Sequence, residues 1–258
     1  MRGALKRWSA MVVMALAVSS AAAAPVARRV LFVGNSLTYV NNLPGAFASL
    51  APVGAPVSVD AFAKPGASLQ DDLGDPVLVR LLAQGRYTDV VFQERGGNAV
   101  CMQPAATCQD LVAAERASKV LAEAARAGGA RVFYLGTWQL NPQVEPWLIH
   151  GERRIAKRMR AHYIPIGSNW IALRSAYPRA DWLAPDGEHP GRATTALLAA
   201  RVWQAVTGKP AMQRPCVRGT LYTHAPSKDG FFRVDPHARP ITCLVPVSLV
   251  PALRDRPG

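Results

Sequence analysis

The chain has 258 residues, of which 50% are hydrophobic and 18% are charged. This composition excludes a disordered chain and predicts a globular protein with a sizeable core, in one or two domains. Lysine and arginine outnumber aspartate and glutamate by 30 to 17, which gives a net charge of +13 at pH 7. Such a charge suits a nucleic-acid binder, and it equally suits a protein that works near anionic envelope polymers or membrane surfaces.

Residues 1–24 have the pattern of an export signal. A start that carries Arg2 and Lys6 precedes the apolar stretch 11–18, and small residues fill positions 19–24. The apolar stretch is shorter than the roughly 20 residues that a membrane-spanning helix needs. We therefore expect a cleaved signal and a secreted or periplasmic protein that does not bind nucleic acid. An uncleaved N-terminal anchor is the alternative.

Short apolar runs alternate with helical patterns along the next part of the chain. Strands are predicted at 29–33, 57–63, 89–93, 131–135 and 163–166. Helices are predicted at about 42–50, 76–84, 110–127, 146–162 and 192–206. This alternation predicts an α/β domain over residues 25–208, with a parallel sheet covered on both faces. Ligands of such sheets bind at the carboxyl ends of the strands.

The pattern changes beyond Gly208, where short proline-rich, aromatic and β-branched runs show no clear helix. We interpret residues 209–258 as an extension packed on the main domain. The chain has four cysteines, which allow three disulfide pairings in an oxidising compartment. We expect the local pairing, Cys101–Cys108 with Cys216–Cys243, because each pair lies within one segment. The CxxC spacing of a four-thiolate zinc site is missing.

Three residues suggest nucleophilic catalysis. Ser36 directly follows the first strand, where a hydroxyl is exposed beside backbone N–H groups that can hold an oxyanion. Asp186 and His189 lie three residues apart before the last helix. That spacing can set a carboxylate against imidazole Nδ1 and leave Nε2 free to accept a serine proton. Each feature alone has a plainer explanation, a capping serine or a solvated turn, but together they predict a Ser–Asp–His triad.

In their order and spacing, these residues resemble the conserved blocks of the SGNH (GDSL-type) hydrolases. The first block, usually Gly-Asp-Ser-Leu, corresponds to residues 34–37, and the second-block glycine corresponds to Gly66. The third block, Gly-x-Asn-Asp, corresponds to 96–99, and the last block, Asp-x-x-His, to Asp186 and His189. Each motif is weak alone, and the ordered set is much more specific.

The resemblance implies a flavodoxin-like three-layer sandwich that hydrolyses carboxylic esters through an acyl-enzyme, without a cofactor or a metal. Ser36 would be the nucleophile, His189 the general base and then the acid, and Asp186 the carboxylate that orients the imidazole. The N–H groups of Ser36 and Gly66, with the side-chain amide of Asn98, would form the oxyanion hole.

The sequence departs from the family pattern at two places. Asn35 replaces the aspartate that usually precedes the nucleophile, and Ala99 replaces the final aspartate of the third block. A first block that reads Gly-Asn-Ser resembles a variant branch of the family. In that branch the third strand ends in Gln-Glu, as it does here with Gln93 and Glu94. Gln93 is therefore an alternative oxyanion donor to Asn98. We favour Asn98, because the pair 96–97 is Gly-Gly and gives the turn backbone freedom.

The remaining features fit the same hypothesis. The five histidines show no metal-binding spacing. The basic run 153–160 is typical of a solvated helix face, or else of a site for polyanions. Trp138, Trp170 and Trp182 could either stack on a sugar ring or pack in the core. Export favours O-acetyl groups of envelope or extracellular polysaccharides as substrates, and the net charge suits association with anionic envelope polymers. The alternative function is a catalytically silent carbohydrate-binding or envelope-scaffold protein on the same fold.

Overall fold

The computed structural model describes residues 27–55, 57–104 and 107–254. The predicted export signal at 1–24 lies outside the described residues. No helix in the described ranges is long and apolar enough to cross a membrane.

Most of the strands form one six-stranded sheet within the described part of the chain. In chain order, the strands are β1 (Arg29–Gly34), β2 (Ser58–Ala63), β3 (Asp89–Phe92), β4 (Arg131–Leu135), β5 (His162–Ile164), β6 (Cys216–Arg218), β7 (Phe231–Arg233) and β8 (Ile241–Cys243). The sheet has the order β5-β4-β3-β1-β2-β7, and its neighbours are parallel except for β7, which is antiparallel to β2. The first five strands have the flavodoxin-like order, which confirms the predicted fold class.

Helices cover both faces of this sheet. In chain order they are α1 (Ser36–Tyr39), α2 (Leu43–Ala48), α3 (Leu69–Leu73), α4 (Pro76–Ala83), α5 (Gln109–Ala127), α6 (Glu145–Met159), α7 (Gly167–Ala176), α8 (Arg192–Thr207) and α9 (Val250–Arg254). One core contains apolar side chains of α2, α7 and α8, and the other contains those of α4, α5 and α6. The three-layer arrangement explains the uninterrupted apolar run of β1, because Val30 and Phe32 point into the first core, and Leu31 and Val33 into the second.

Before Gly208, three helices were not predicted from the sequence: α1, α3 and α7, with four, five and ten residues. Helices of this length depend on tertiary contacts more than on their own propensity, so they leave a weak signal in a sequence. The predicted end of α6 at 162 is wrong, because Arg160 takes a left-handed conformation with φ of 51° and ends the helix at Met159. As a result β5 begins at His162.

The C-terminal region combines a small antiparallel pair, β6 with β8, and the edge strand β7. Cys216 lies opposite Cys243 in the small pair, and the two form a disulfide. The second disulfide joins Cys101 to Cys108, so the predicted pairing is confirmed. The expectation that no helix follows Gly208 is wrong, because α9 forms and its apolar residues enter the core beside α8.

The three tryptophans predicted near the active edge belong to the core. Trp138, Trp170 and Trp182 are 7%, 1% and 3% exposed, and the rings of Trp138 and Trp170 stack 5.8 Å apart. The Trp170 indole donates to Thr194 Oγ1, and the Trp182 indole donates to the Tyr177 carbonyl oxygen. Their burial favours packing over stacking on a sugar.

Gly151 on α6 packs closely against the backbone of Ala99, and a substitution there tests this contact. A Cβ at this position would lie 1.8 Å from the Ala99 carbonyl oxygen. Alanine usually stabilises a helix by about 1 kcal/mol over glycine, but here the clash is with backbone and cannot be relieved by a rotamer change. We expect Gly151→Ala to lower the free energy of unfolding by about 1–3 kcal/mol in urea.

The matched control is Gly97→Ala, where nothing lies within 4 Å of the added Cβ and φ is not positive. We expect the control to change stability by about 1 kcal/mol at most. Equal stability of the wild type and Gly151→Ala would contradict the close contact.

Candidate active site

The candidate site lies where three segments leave the sheet at one edge. β1 pairs in parallel with β2 on one side and with β3 on the other. Parallel strands point their carboxyl ends the same way, so the segments that follow these strands meet. They are the Ser36 turn (34–37), the β2 loop (64–68) and the β3 loop (93–98).

Asn35 fixes the turn that presents Ser36. Its side chain accepts a hydrogen bond from the Leu37 N–H at 3.0 Å and so caps α1. Through Nδ2 the same side chain donates to the Ala67 carbonyl oxygen in the β2 loop, also at 3.0 Å. An ionised aspartate, the usual residue here in the SGNH hydrolases, only accepts and could not make the second bond. Asn35 therefore ties the Ser36 turn to the β2 loop.

Two backbone N–H groups at this edge, those of Ser36 and Gly66, have no acceptor among the described residues. The half-buried Ser36 side chain likewise makes no hydrogen bond within the described ranges. Gly66 has φ of 63°, and open space lies where a Cβ would stand. A larger residue would be strained in this left-handed conformation. Both N–H groups are therefore free for an acceptor that comes from outside the protein.

Asp186 and His189 form the pair that their spacing predicted. Asp186 Oδ2 lies 2.8 Å from His189 Nδ1, and Oδ1 accepts the N–H groups of Glu188 and His189 at 2.9 Å each. These backbone bonds, with the imidazole bond, lower the pKa of Asp186 to about 2. The carboxylate therefore stays ionised at neutral pH and assigns the imidazole proton to Nδ1. Nε2 has no hydrogen-bond partner in the described part of the chain.

Asn41 connects the loop of His189 to the helix of Ser36. Its Nδ2 donates to the Pro190 carbonyl oxygen at 2.7 Å and to Thr195 Oγ1 at 3.3 Å. Asn41 has φ of 56°, a left-handed conformation that asparagine tolerates better than most residues. Ser36 Oγ and His189 Nε2 are not hydrogen-bonded to each other. Bonds of this kind are often long in unliganded enzymes and tighten when substrate binds.

The two candidate oxyanion amides have different surroundings. Asn98 Nδ2 donates to Glu94 Oε1 at 3.0 Å, and Asn98 Oδ1 accepts from Arg95 Nε and Nη2 at 3.3 and 3.2 Å. Gln93 Oε1 accepts from Thr38 Oγ1 at 2.6 Å, while its Nε2 is buried without a partner in the described ranges. Each amide therefore retains an N–H that no described residue uses.

Gly96 and Gly97 do not use the backbone freedom that was expected to favour Asn98. Neither Gly96 nor Gly97 has a positive φ. A Cβ on Gly96 would make only an ordinary contact, 3.7 Å from Leu37 Cδ1, and a Cβ on Gly97 would meet nothing within 4 Å. The choice between Asn98 and Gln93 therefore depends on their hydrogen bonds.

Two buried carboxyl groups beside this edge had no predicted role. Glu94 is 1% exposed, and burial raises its pKa to about 7. Asp72 is fully buried, and both of its oxygens lack a partner among the described residues. Burial raises the pKa of Asp72 to about 8. A sequence signal for Asp72 does exist, since it lies three residues after the buried Leu69 and so shares the inner face of α3.

A separate cavity lies away from the candidate site. A cavity of about 620 Å³ lies between the end of α7, the start of α8 and the segment 244–249, and neither Ser36 nor His189 lines it. In the described ranges, no group of three or more His, Cys, Asp or Glu residues is arranged to hold a metal ion.

Comparison of the sequence with protein-family models and with curated proteins finds no match. The fold does match solved structures. A lipase/acylhydrolase from Enterococcus faecalis has a TM-score of 0.52 at 16% identity, over 72% of this chain and 100% of that chain. A variant of Axe2, an acetyl-xylooligosaccharide esterase from Geobacillus Stearmophilus, has a TM-score of 0.53 at 15% identity, over 72% and 97%. A protein described as a GDSL-like lipase, from Parabacteroides merdae, has a TM-score of 0.51 at 14% identity, over 70% and 96%. The chain thus shares the fold of these esterases and lipases.

The buried carboxyl group of Asp72 makes the stability of the folded protein depend on pH. Its pKa is higher in the folded protein, about 8, than the ordinary 3.8, so the unfolded chain holds fewer protons between these values. Rising pH therefore destabilises the fold, by up to about 1.4 kcal/mol per pH unit. The side chain introduced by Asp72→Asn cannot ionise. The free energy of unfolding of this variant minus that of the wild type should therefore increase as the pH rises from about 5 to about 8.

Urea unfolding at several pH values measures this gain. Asp71→Asn is the matched control, because hydrogen bonds from Ser68 lower the pKa of Asp71, and its side chain lies outside the core. Its difference from the wild type should stay constant over the same pH range. A constant difference for Asp72→Asn as well would show that Asp72 is ionised in the folded protein.

Proposed function

We propose that this protein is an SGNH-type ester hydrolase with Ser36 as nucleophile, His189 as base and Asp186 as the orienting carboxylate. The observation that carries the proposal is the bond between His189 Nδ1 and Asp186, which leaves Nε2 without a partner. The loop of His189 is tied through Asn41 to the segment that follows Ser36. These bonds support the proposed pairing of two residues that lie more than 150 positions apart in the sequence.

The proposed reaction has two halves. His189 Nε2 takes the Ser36 Oγ proton as the oxygen attacks the ester carbonyl, and it then gives that proton to the leaving alcohol. The acyl group is left on Ser36. Water, deprotonated by the same imidazole, then attacks the acyl-enzyme, and the serine is regenerated with its proton. If an acceptor alcohol replaces water in the second half, the same steps give acyl transfer.

The developing oxyanion would be held by N–H donors at the sheet edge. The Ser36 and Gly66 N–H groups are supported as donors by their lack of any acceptor within the described residues. The third proposed donor is the Asn98 amide, whose Nδ2 uses one hydrogen on Glu94 and keeps the second. Removing one such donor from an acyl-transfer site costs about 2.7–4 kcal/mol of transition-state stabilisation.

The proposed substrates are O-acetyl esters of extracellular or envelope polysaccharides. One of the similar structures is an acetyl-xylooligosaccharide esterase, which supports a carbohydrate ester without identifying it. The two disulfides support an oxidising compartment and therefore export.

A groove of about 580 Å³ between α5 and α6 supports association with anionic polymers. Its lining consists of Glu115 and a set of cations: Lys119, Arg154, Lys157, Arg158 and Arg160.

The triad is tested by combining substitutions at Ser36 and His189. Because the two groups act as one unit, Ser36→Ala, His189→Ala and the double variant should each lose about 10⁴-fold or more in kcat, and to similar extents. Hydrolysis of p-nitrophenyl acetate measures this, and labelling by a fluorophosphonate probe reports the nucleophile directly. Ser175→Ala, an exposed serine on α7, is the control and should keep full activity and labelling. Losses that multiply in the double variant would refute the triad, and a wild type that neither hydrolyses nor labels would favour the silent scaffold.

The oxyanion donor is tested by comparing Asn98→Ala with Gln93→Ala. The true donor binds the transition state more strongly than the bound ester, so its loss should lower kcat by about a hundredfold or more with little change in KM. We expect this result for Asn98→Ala. Gln93→Ala should act mainly on stability, since Gln93 is buried and bonded to Thr38. The reverse pattern would assign the donor to Gln93.

A further inference from the structure

Glu94 belongs to the β3 loop and contacts the start of α3, just beyond the β2 loop. It lies two residues after the end of β3 and is 1% exposed. Its Oε1 accepts the Arg95 N–H at 2.8 Å and Asn98 Nδ2 at 3.0 Å, both in the β3 loop. Both of its oxygens lie 3.3 Å from the N–H of Leu69, which directly follows the β2 loop. One carboxyl group thus joins the chain beyond the β2 loop to the β3 loop.

The partners of Asn98 dictate which way its amide points. A carboxylate such as Glu94 can only accept, and a guanidinium such as that of Arg95 can only donate. Nδ2 of Asn98 must therefore face Glu94, and Oδ1 must face Arg95, as the bond lengths indicate. With the amide plane fixed at both ends, the direction of the second N–H on Nδ2 is fixed as well. No described residue takes that second hydrogen.

Burying a carboxyl group destabilises the folded protein unless hydrogen bonds or an opposite charge compensate for the lost water. Burial raises the pKa of Glu94 to about 7, and hydrogen bonds from three donors, the N–H groups of Arg95 and Leu69 and the Asn98 amide, only partly offset this. All of these donors belong to the β3 loop or to the start of α3. The bonds of Glu94 therefore join the β3 loop to the first residue of α3, next to the proposed oxyanion donors.

We propose that Glu94 is a positioning residue that aims the free N–H of Asn98 at the oxyanion. This inference rests on the proposed ester hydrolysis, because it needs Asn98 as donor. Glu94 touches no reacting atom and acts through Asn98. Loss of Glu94 should therefore affect the transition state, where the oxyanion forms, and leave binding of the ester nearly unchanged.

The test is a double-mutant cycle between Glu94 and Asn98, with kcat and KM measured on p-nitrophenyl acetate. Glu94→Ala should lower kcat by about tenfold to a hundredfold and change KM by about twofold at most. When Asn98 is already alanine, adding Glu94→Ala should cost less than about threefold more, since nothing remains to be positioned. Glu94→Gln keeps a carbonyl acceptor for Asn98, so its kcat should lie between those of Glu94→Ala and the wild type.

Glu152→Gln is the matched control. Glu152 is also 1% exposed with a pKa raised by burial to about 7, and it accepts three bonds, but from Thr137 and Tyr163. Its kcat should stay within about twofold of the wild type, because its partners lie outside the oxyanion hole. Thermal unfolding of every variant ensures that rates are compared between folded proteins. If Glu94→Ala does not fold, the cycle is completed with Glu94→Gln.

Three results would overturn the proposal: unchanged kcat in Glu94→Ala, losses that multiply in the double variant, or a loss that lies in KM. Ser36→Ala separates this failure from that of the proposed function. If Ser36→Ala is inactive while Glu94→Ala is fully active, ester hydrolysis stands and the role of Glu94 falls. If Ser36→Ala still hydrolyses the ester, both fall together.

Discussion

The parallel pairing of β1 with both β2 and β3 is the constraint on which the candidate site depends. It brings the carboxyl ends of three strands to one edge, and the chain there consists of polar turns instead of buried strand. Asn35 then joins the Ser36 turn to the β2 loop, and Glu94 joins the start of α3 to the β3 loop. The sheet thus supplies the proximity, and a few side-chain bonds supply the orientation.

The second half of the site comes from a distant part of the chain. Asp186 and His189 form their pair locally, and Asn41, five residues after Ser36, joins the chain just beyond this pair by its bonds to Pro190 and Thr195. The backbone N–H of Asn41 also donates to the Tyr222 carbonyl oxygen, in the C-terminal region. The same region contributes β7, which pairs with β2 at the edge of the sheet. The C-terminal residues therefore contribute to the surroundings of the site as well as to the core.

Four of the carboxyl groups lie in two contrasting environments. Asp186 is largely exposed and accepts two backbone N–H groups, which lower its pKa and keep it ionised beside an imidazole. Asp72, Glu94 and Glu152 are buried, and burial raises the pKa of each. The first kind suits a permanent negative charge that orients a base. Of the second kind, Glu94 and Glu152 accept hydrogen bonds inside the protein, whereas both oxygens of Asp72 lack a partner among the described residues. Of these three, Glu94 alone bonds to a proposed oxyanion donor.

The sequence by itself determined the features that depend on near neighbours. Apolar runs buried on both faces gave the strands, the seven-residue spacing gave the Cys101–Cys108 bridge, and a three-residue spacing gave the pair of Asp186 with His189. Only the tertiary structure decided the partners of Asn35, Asn98 and Gln93, and it revealed the unpredicted helices α1, α3, α7 and α9. The physical reason is that side chains in loops bond to whatever the fold brings near, often from another strand. A pattern in the sequence records periodicity and local spacing, and it carries no record of which loops will meet.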